Sequence, residues 1–267
     1  MSHPMHSLFT SLHAAPSPLV IPNAWDAASA VLVARAGATA IATSSASMAW
    51  TLGYADGGIL PRAELLAAIA RIQRVIQIPL TVDLEDGYSN TPQAVASLVA
   101  EVAALGVAGI NLEDGGQAPA LLADKIAASR RVLGKRPLFI NARTDVFLRG
   151  LSKGDAATAM VLERAKLYQA AGTDGLFVPG MVSVEDTTQV ASQTALPLNL
   201  MLRPGMPAIA ALFAVGARRF TAGSATAQSA YGHVSTLAHA LLVNHDASGL
   251  FENAVEYGAM NGLFTKR

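Results

Sequence analysis

The stretch VAALGVAGINLED, residues 102–114, ends in two adjacent acids after a short apolar run. Its first part is the Ala-rich end of a helix pattern, Gly106 follows, and the apolar run suits a strand that is covered on both faces. Three other stretches repeat this order of features: VARAGATAIATSS (33–45), YQAAGTDGLFVPG (168–180) and FAVGARRFTAGS (213–224). We interpret all four as helix-to-strand units, which are typical of an α/β fold.

Further short apolar runs lie between these units, and together they predict eight strands that alternate with Ala-rich helices. The helices show apolar residues every three or four positions, as in ELLAAIARIQRVI from Glu64. The predicted strands cover residues 19–21, 39–43, 79–83, 108–112, 138–142, 175–178, 197–200 and 219–223. Eight strands alternating with helices predict a (β/α)8 TIM-type barrel.

The length of the chain, 267 residues, suits one barrel of this kind. No linker or low-complexity segment divides it, so we predict a single domain over residues 1–267. Residues 229–267 follow the eighth predicted strand and form a segment longer than the single helix that would complete the barrel. We therefore expect an extended C-terminal helical segment, which either packs on its own barrel or is swapped between subunits and forms an oligomer.

The composition excludes several classes of function. Lys and Arg number 19 and so do Asp and Glu, and without a basic run we expect no nucleic-acid partner. The absence of cysteine excludes thiolate metal sites and a cysteine nucleophile. No window has the apolar length of a membrane span and the N-terminus does not resemble a signal peptide, so we expect a cytoplasmic protein with no membrane partner. The histidines, His3 among them, show no metal-binding spacing, and none is assigned a role.

Acidic residues gather at two strand ends, and in such a barrel the active site lies at the carboxyl ends of the strands. Asp83 and Glu85 stand in LTVDLEDGYSN (80–90), two positions apart, which in an extended strand places them on the same side. Glu113 ends the next predicted strand. Carboxylate oxygens without His or Cys select Mg²⁺ or Mn²⁺. Asp83, Glu85 and Glu113 are our predicted metal ligands, some of them through water; the alternative is that they cap helices or pair with basic side chains.

An arginine faces these acids from the next strand end. Arg143, in NARTD, is predicted to bind a carboxylate or phosphonate through two hydrogen bonds. The alternative is a salt bridge to Glu113 or Asp145. An anchor of this kind would select a small anionic substrate.

Hydroxyl and amide side chains at other strand ends are candidates for substrate binding. Thr43, Ser44 and Ser45 form a turn that suits a carboxylate or ketone oxygen, although a helix N-cap is as common a use. Asn199 follows as a further predicted substrate-binding residue. Asp56 either reaches a metal-bound water or serves as a surface turn residue.

Five motifs, in this order, resemble the isocitrate lyase and phosphoenolpyruvate mutase superfamily: TSSASMAWTLGYADG, TVDLEDGYSN, GVAGINLEDG, FINARTDVFL and ERAKLYQAAGTDGLFVPG. The resemblance covers nearly the whole chain, from about Asn23 to Ser224. It implies a modified (β/α)8 barrel, often with the eighth helix swapped between subunits of a homodimer or homotetramer. It also implies Mg²⁺-dependent cleavage or formation of a C–C or C–P bond next to a 2-oxo acid, through an enolpyruvate-like intermediate.

Matching the motifs position by position carries the functional residues of the superfamily onto this chain. The metal pair falls on Asp83 and Glu85, the LED acid on Glu113, the loop aspartate on Asp56, the substrate arginine on Arg143, and the turn that holds the substrate carboxylate on Thr43, Ser44 and Ser45.

The chain also departs from the superfamily. The lyases carry a Lys-Cys-Gly-His motif where this chain has EDGGQAPALLADKI (113–126), and because that thiol is the lyases' proton donor, its absence weighs against isocitrate and methylisocitrate as substrates. The Lys and Asn of the mutase loop are unmatched as well, and Gln117 is the only amide nearby. In addition, Glu85 stands in place of an aspartate and Ser89 in place of a glycine.

We predict a Mg²⁺-dependent enzyme that cleaves a C–C bond next to a small 2-oxo or 2-hydroxy acid, like oxaloacetate decarboxylase or methylisocitrate lyase. Decarboxylation of an oxaloacetate-like acid requires the least machinery, whereas cleavage of a 2-hydroxy acid needs a base, for which Tyr88, Asp56 or a metal-bound water would serve. Two alternatives stay open. One is C–P chemistry, as in phosphoenolpyruvate mutase or phosphonopyruvate hydrolase, and the other is a barrel that binds an anionic metabolite without turnover.

Overall fold

The strands of the computed structural model, which describes residues 4–265, form one parallel sheet in the order β1-β9-β8-β7-β6-β5-β4-β3-β2. Residues 1–3 and 266–267 of the predicted domain 1–267 lie outside the described residues. They include His3 and the end of the predicted segment 229–267. The strands are β1 Leu19–Ile21, β2 Asn23–Ala24, β3 Ile41–Thr43, β4 Leu80–Asp83, β5 Gly109–Glu113, β6 Phe139–Arg143, β7 Gly175–Phe177, β8 Leu198–Met201 and β9 Ala217–Thr221.

Pro22 explains why nine strands are seen where eight were predicted. It separates β1, which pairs with β9, from β2, which pairs with β3. Proline has no backbone N–H and interrupts a hydrogen-bond ladder, so one predicted strand is split where it passes from one neighbour to the other. The predicted TIM-type barrel is confirmed.

The helices are α1 Pro4–Leu12, α2 Ala27–Arg35, α3 Ser45–Thr51, α4 Arg62–Gln73, α5 Pro92–Ala104, α6 Pro119–Leu133, α7 Gly154–Ala171, α8 Val184–Ala191, α9 Ile209–Ala214, α10 Ala225–Val243 and α11 Tyr257–Gly262. Helices α2 to α9 surround the barrel and bury side chains against it, whereas α1 closes one end and α10 and α11 are mostly exposed. Ile69 of α4, Val99 of α5 and Ile126 of α6 belong to one buried cluster with strand residues. Gly172 ends α7 in the left-handed conformation with a φ of 102°, as the Gly after each helix pattern predicts.

Helix α1 closes the end of the barrel where the strands begin. Phe9 is completely buried, and an added Cβ on Gly109 would lie 2.9 Å from its Cε1 atom, so the glycine leaves room for the ring. His13 stacks on Phe139 with ring centroids 4.3 Å apart, and its Nδ1 lies 2.9 Å from the carbonyl oxygen of Phe9. The floor of the barrel is therefore an aromatic plug that contains one histidine.

Because His13 is buried in this plug, we expect the free energy of unfolding to fall in acid. Burial, followed by the positive charge of Arg219, lowers the pKa of His13 from 6.5 to about 3. The unfolded chain therefore binds a proton that the folded chain does not, and stability falls as the pH drops below the unfolded pKa. We expect this residue to remove roughly 2 kcal/mol from the free energy of unfolding between pH 7 and pH 5. Urea unfolding at both pH values should show a smaller loss for His13→Gln, and an equal loss in both proteins would contradict the assignment.

Helix α10 and the residues after it lie on the outside of the barrel. The Tyr231 hydroxyl lies 2.7 Å from Thr51 Oγ1, and its ring centroid is 6.0 Å from that of Trp25. Farther along, large apolar side chains are exposed, among them Leu242 at 75% and Phe251 at 79%. Within residues 4–265, no helix combines the length and the apolar character that crossing a membrane requires.

Candidate active site

Two neighbouring cavities at the carboxyl ends of the strands collect nearly all the predicted site residues. The inner cavity, of about 150 Å³, is lined by Thr43, Ser44, Ser45, Asp56, Asp83 and Arg143. The outer cavity, of about 420 Å³, is lined by Glu85, Tyr88 and Glu113. The predicted site residues thus divide into an inner group that contains the arginine and an outer group rich in acids.

Arg143 is held firmly at the end of β6. Its Nε and Nη2 donate to the two carboxylate oxygens of Asp145 at 2.7 and 3.0 Å, and its Nη1 lies 2.8 Å from Glu113 Oε2. Both salt bridges that the sequence left as alternatives are therefore present. Burial alone would lower the pKa of Arg143, but Glu113 and Asp145 together raise it above its ordinary value. The inner cavity therefore has a permanent, oriented cation in its wall.

The partners of Arg143 are themselves fixed by Asp114, which the sequence analysis passed over. Asp114 accepts hydrogen bonds from the backbone N–H of Asp145 at 2.9 Å, from the Tyr168 hydroxyl at 2.6 Å and from Arg164 Nη1 at 2.7 Å. This network is buried, and it fixes the turn after β6. The only sequence signal for it was the second acid of the ED pair at residues 113–114.

Asp83 is oriented by the turn after β3. Its backbone N–H donates to Thr43 Oγ1 at 2.9 Å, and Ser45 Oγ donates to its Oδ2 at 3.0 Å. Its other oxygen, Oδ1, is buried and has no hydrogen-bond partner in the described chain. Ser44 instead caps α3 by accepting from the backbone N–H of Ser47 at 3.3 Å, which is the N-cap alternative. The turn therefore serves mainly to aim one carboxylate.

Glu85 lies in the turn after β4, which ends at Asp83, so the alternation of side chains along a strand does not decide where Glu85 points. Its backbone is in the left-handed region with a φ of 50°, and Tyr88 shares that region with a φ of 58°. Lys125 Nζ donates to the carbonyl oxygen of Asp86 at 2.7 Å and stabilises this turn from α6. The expectation that Asp83 and Glu85 lie on one face of an extended strand was therefore wrong, although both line the paired cavities.

Burial, with a smaller contribution from neighbouring acids, raises the pKa values of three carboxyl groups in the two cavities. Burial raises the pKa of Glu113 to about 8; Arg143 opposes this shift, and Asp83 and Asp145 add to it. The pKa of Glu85 rises to about 7, chiefly through burial. Burial and the charge of Asp83 also raise the pKa of Asp56. One guanidinium does not neutralise this set, so a further cation would be stabilised here.

A divalent cation fits this arrangement if some of the predicted ligands hold it through water, as the sequence analysis allowed. Within residues 4–265, no three His, Asp or Glu side chains are close enough together to hold a metal directly. Glu113 is occupied by Arg143, and Glu85 faces the outer cavity. The unpartnered Oδ1 makes Asp83 the best direct ligand, and Glu85 and Glu113 would then contribute through water, as Mg²⁺ sites often do.

Asn199 is placed inside the barrel and lines neither cavity. Its Nδ2 donates to the carbonyl oxygen of Leu200 at 2.9 Å, and its Oδ1 accepts from Asn141 Nδ2 at 3.1 Å. Two other asparagines, Asn23 and Asn111, line the inner cavity instead. Asn111 could have been found in the sequence, because it stands two positions before Glu113 on the same strand.

The sequence model of the family described as phosphoenolpyruvate phosphomutase matches residues 9–242. The chain belongs to this family. A curated relative from Mycobacterium tuberculosis, an uncharacterized protein, is 36% identical over 221 residues, which are 81% of each chain. An oxaloacetate decarboxylase from Pseudomonas fluorescens is 29% identical over 80% of this chain and 77% of its own. A 2-methylisocitrate lyase from Aeropyrum pernix is 31% identical over 67% of this chain and 60% of its own.

Solved structures of other proteins share this barrel. One from Burkholderia cenocepacia, provisionally assigned as a phosphonomutase, is 38% identical with a TM-score of 0.84 and covers 88% of this chain and 98% of its own. A phosphonopyruvate hydrolase in complex with oxalate and Mg²⁺ has a TM-score of 0.84 at 18% identity, over 98% of this chain and 95% of its own, and shows likeness of fold. The curated relatives that carry the name of an activity, the oxaloacetate decarboxylase and the 2-methylisocitrate lyase, are enzymes, so the family is one of enzymes.

Proposed function

We propose that this protein is a Mg²⁺-dependent lyase that cleaves a C–C bond next to a small 2-oxo acid, with decarboxylation of an oxaloacetate-like acid as the preferred reaction. The observation that carries this proposal is the inner cavity, where a fixed guanidinium and an unpartnered carboxylate oxygen line one small space. Its volume of about 150 Å³ corresponds to about five water molecules, which suits a substrate of three or four carbons.

The arginine and the acids of the two cavities have separate roles in this reaction. Arg143 binds the substrate carboxylate and keeps it in one orientation, because Asp145 and Glu113 hold the guanidinium from behind. Asp83, with Glu85 and Glu113 through water, would hold the cation. When bound, Mg²⁺ supplies fixed positive charge that stabilises the negative charge of an enolate. Mn²⁺ would serve the same role.

Tyr88 and Asp56 handle protons in different ways. The Tyr88 hydroxyl is buried, and its burial and the charge of Glu85 raise its pKa above the ordinary value. Tyr88 therefore stays protonated, and in the outer cavity it serves as a hydroxyl donor rather than as the base considered from the sequence. Asp56 lines the inner cavity with a raised pKa, which suits it as the base for a 2-hydroxy acid.

A substrate panel tests this proposal. Pyruvate release is measured from oxaloacetate, substituted malates and phosphonopyruvate, with Mg²⁺, with Mn²⁺ and with EDTA. We expect release from oxaloacetate that requires the metal and exceeds its metal-catalysed background. Release from phosphonopyruvate alone would favour C–P chemistry, the alternative supported by the Burkholderia structure. Binding of oxalate without turnover of any compound would favour a metabolite-binding barrel.

We further propose a homodimer or homotetramer built on the C-terminal segment. Apolar side chains exposed after residue 240, including Leu242, Phe251 and Tyr257, support it. Light scattering should give twice or four times the mass of the chain, and a monomer over a wide concentration range would contradict it.

A further inference from the structure

Arg219 is a buried arginine that has no hydrogen-bond or salt-bridge partner among residues 4–265. It lies on β9, opposite Asn199 in the sheet, and none of its surface is exposed. Its Nε, Nη1 and Nη2 find no hydrogen-bond partner in the described chain, and no salt bridge is formed by it within residues 4–265. Its guanidinium carbon lies 5.6 Å from the ring centroid of Phe9. An unpaired buried charge is costly, so its presence calls for an explanation.

The position of Arg219 is below the inner cavity. Thr221 lines that cavity, and Arg219 stands two residues before it on the same strand, so both side chains point into the barrel. Phe9, at the other end of the barrel, contacts the guanidinium from below. Arg219 therefore lies between the aromatic plug and the substrate cavity.

The interior side chains around Arg219 are polar, whereas the interior of such barrels is usually filled by branched aliphatic residues. Asn141 Nδ2 donates to Asn111 at 3.0 Å and to Asn199 at 3.1 Å, and Asn199 Nδ2 lies 3.3 Å from the carbonyl oxygen of Arg219. Since Asn111 also lines the inner cavity, this amide chain runs from the cavity to the strand of Arg219. The amides are largely paired with each other and with backbone, whereas the guanidinium of Arg219 is not.

Arg219 carries its charge at neutral pH. Burial lowers its pKa to about 9, and the negative charge of Asp83 opposes that shift. The guanidinium and the carboxylate therefore interact through the barrel interior, where charges are weakly screened.

We propose that Arg219 is a positioning residue that acts through its charge: it makes the floor of the inner cavity positive, which favours an anionic substrate and weakens the binding of a divalent cation. This inference rests on the proposed function. A cation beneath the cavity attracts a carboxylate and repels Mg²⁺, so its removal must change the two affinities in opposite directions. A residue with only a structural role would change both in the same direction or neither.

Calorimetry on Arg219→Met tests the proposal, with Arg218→Met as the matched control. Arg218 is the preceding residue of β9 and faces outward, with its guanidinium carbon 5.0 Å from the ring centroid of Phe213. We expect Arg219→Met to bind Mg²⁺ alone about tenfold more tightly and oxalate, at saturating Mg²⁺, about tenfold more weakly. Arg219→Lys should stay near the wild type, and so should Arg218→Met. If the methionine variant does not fold, Arg219→Gln replaces it under the same criteria.

The outcomes separate this inference from the proposed function. A wild-type protein that binds Mg²⁺ and oxalate, with both affinities unchanged or both weakened in the uncharged variant, overturns the role of Arg219 and leaves the proposed function standing. A wild-type protein that binds neither overturns the proposed function, and the inference falls with it.

Discussion

Arg143→Lys is expected to lower kcat/KM by about a thousandfold on the substrate that the panel identifies. The guanidinium bridges Asp145 and Glu113 while it lines the inner cavity. A lysine ammonium is a single compact charge on a flexible chain and cannot make these contacts and bind a carboxylate in two-point fashion. The loss should therefore appear in kcat/KM and in the affinity for oxalate.

The control for this substitution is Arg131→Lys, which makes the same chemical change on the exposed side of α6. It should behave as the wild type does. Thermal unfolding of both variants shows whether the fold is retained. A folded Arg143→Lys protein with kcat/KM within threefold of the wild type would contradict the role of Arg143 as substrate anchor.

Asp83→Asn is expected to lower metal-dependent turnover on the order of a thousandfold and to weaken Mg²⁺ binding at least about a hundredfold. The substitution keeps the size of the side chain and removes the charge of a carboxylate whose Oδ1 has no hydrogen-bond partner among the described residues. It removes repulsion toward Glu113, Glu85 and Asp56 and also removes attraction to Arg143 and Arg219, so the two effects on stability oppose each other and the protein should still fold. Lost metal binding in a protein that unfolds cooperatively on heating is the expected combination.

Asp124→Asn, on the exposed side of α6, provides the matched control. Calorimetric titration of both variants with Mg²⁺ gives the comparison. An Asp83→Asn protein that still binds Mg²⁺ with wild-type affinity would place the cation on other residues and would remove Asp83 from the proposed mechanism.

The barrel could be predicted because its units are local. Each unit shows a helix pattern, a glycine and an apolar run in sequence order, and this order repeats along the chain. The split of the first strand at Pro22 was not predicted, because it depends on which neighbour each half pairs with, and that is decided only when the barrel closes.

The site could be predicted in part. Arg143, Asp83 and Glu113 end their strands, and parallel strands bring their carboxyl ends to one edge, so position in sequence was sufficient. Glu85 was assigned by strand alternation, but its turn has a φ of 50°, and the direction of a side chain in such a turn cannot be obtained from spacing. Asn199 was placed by its strand end, yet its side chain joins the interior amides.

The amino-acid sequence was sufficient to give the order of strands and helices, the family, and the polar residues at the strand ends, because these depend on local pattern and on the rule that parallel strands end together. Only the three-dimensional structure showed which of those side chains pair with each other. It also showed that Asp83 Oδ1 and the guanidinium of Arg219 have no hydrogen-bond partner within residues 4–265. These outcomes depend on how distant strands face one another across the closed barrel, and burial and charge there act between residues far apart in the chain.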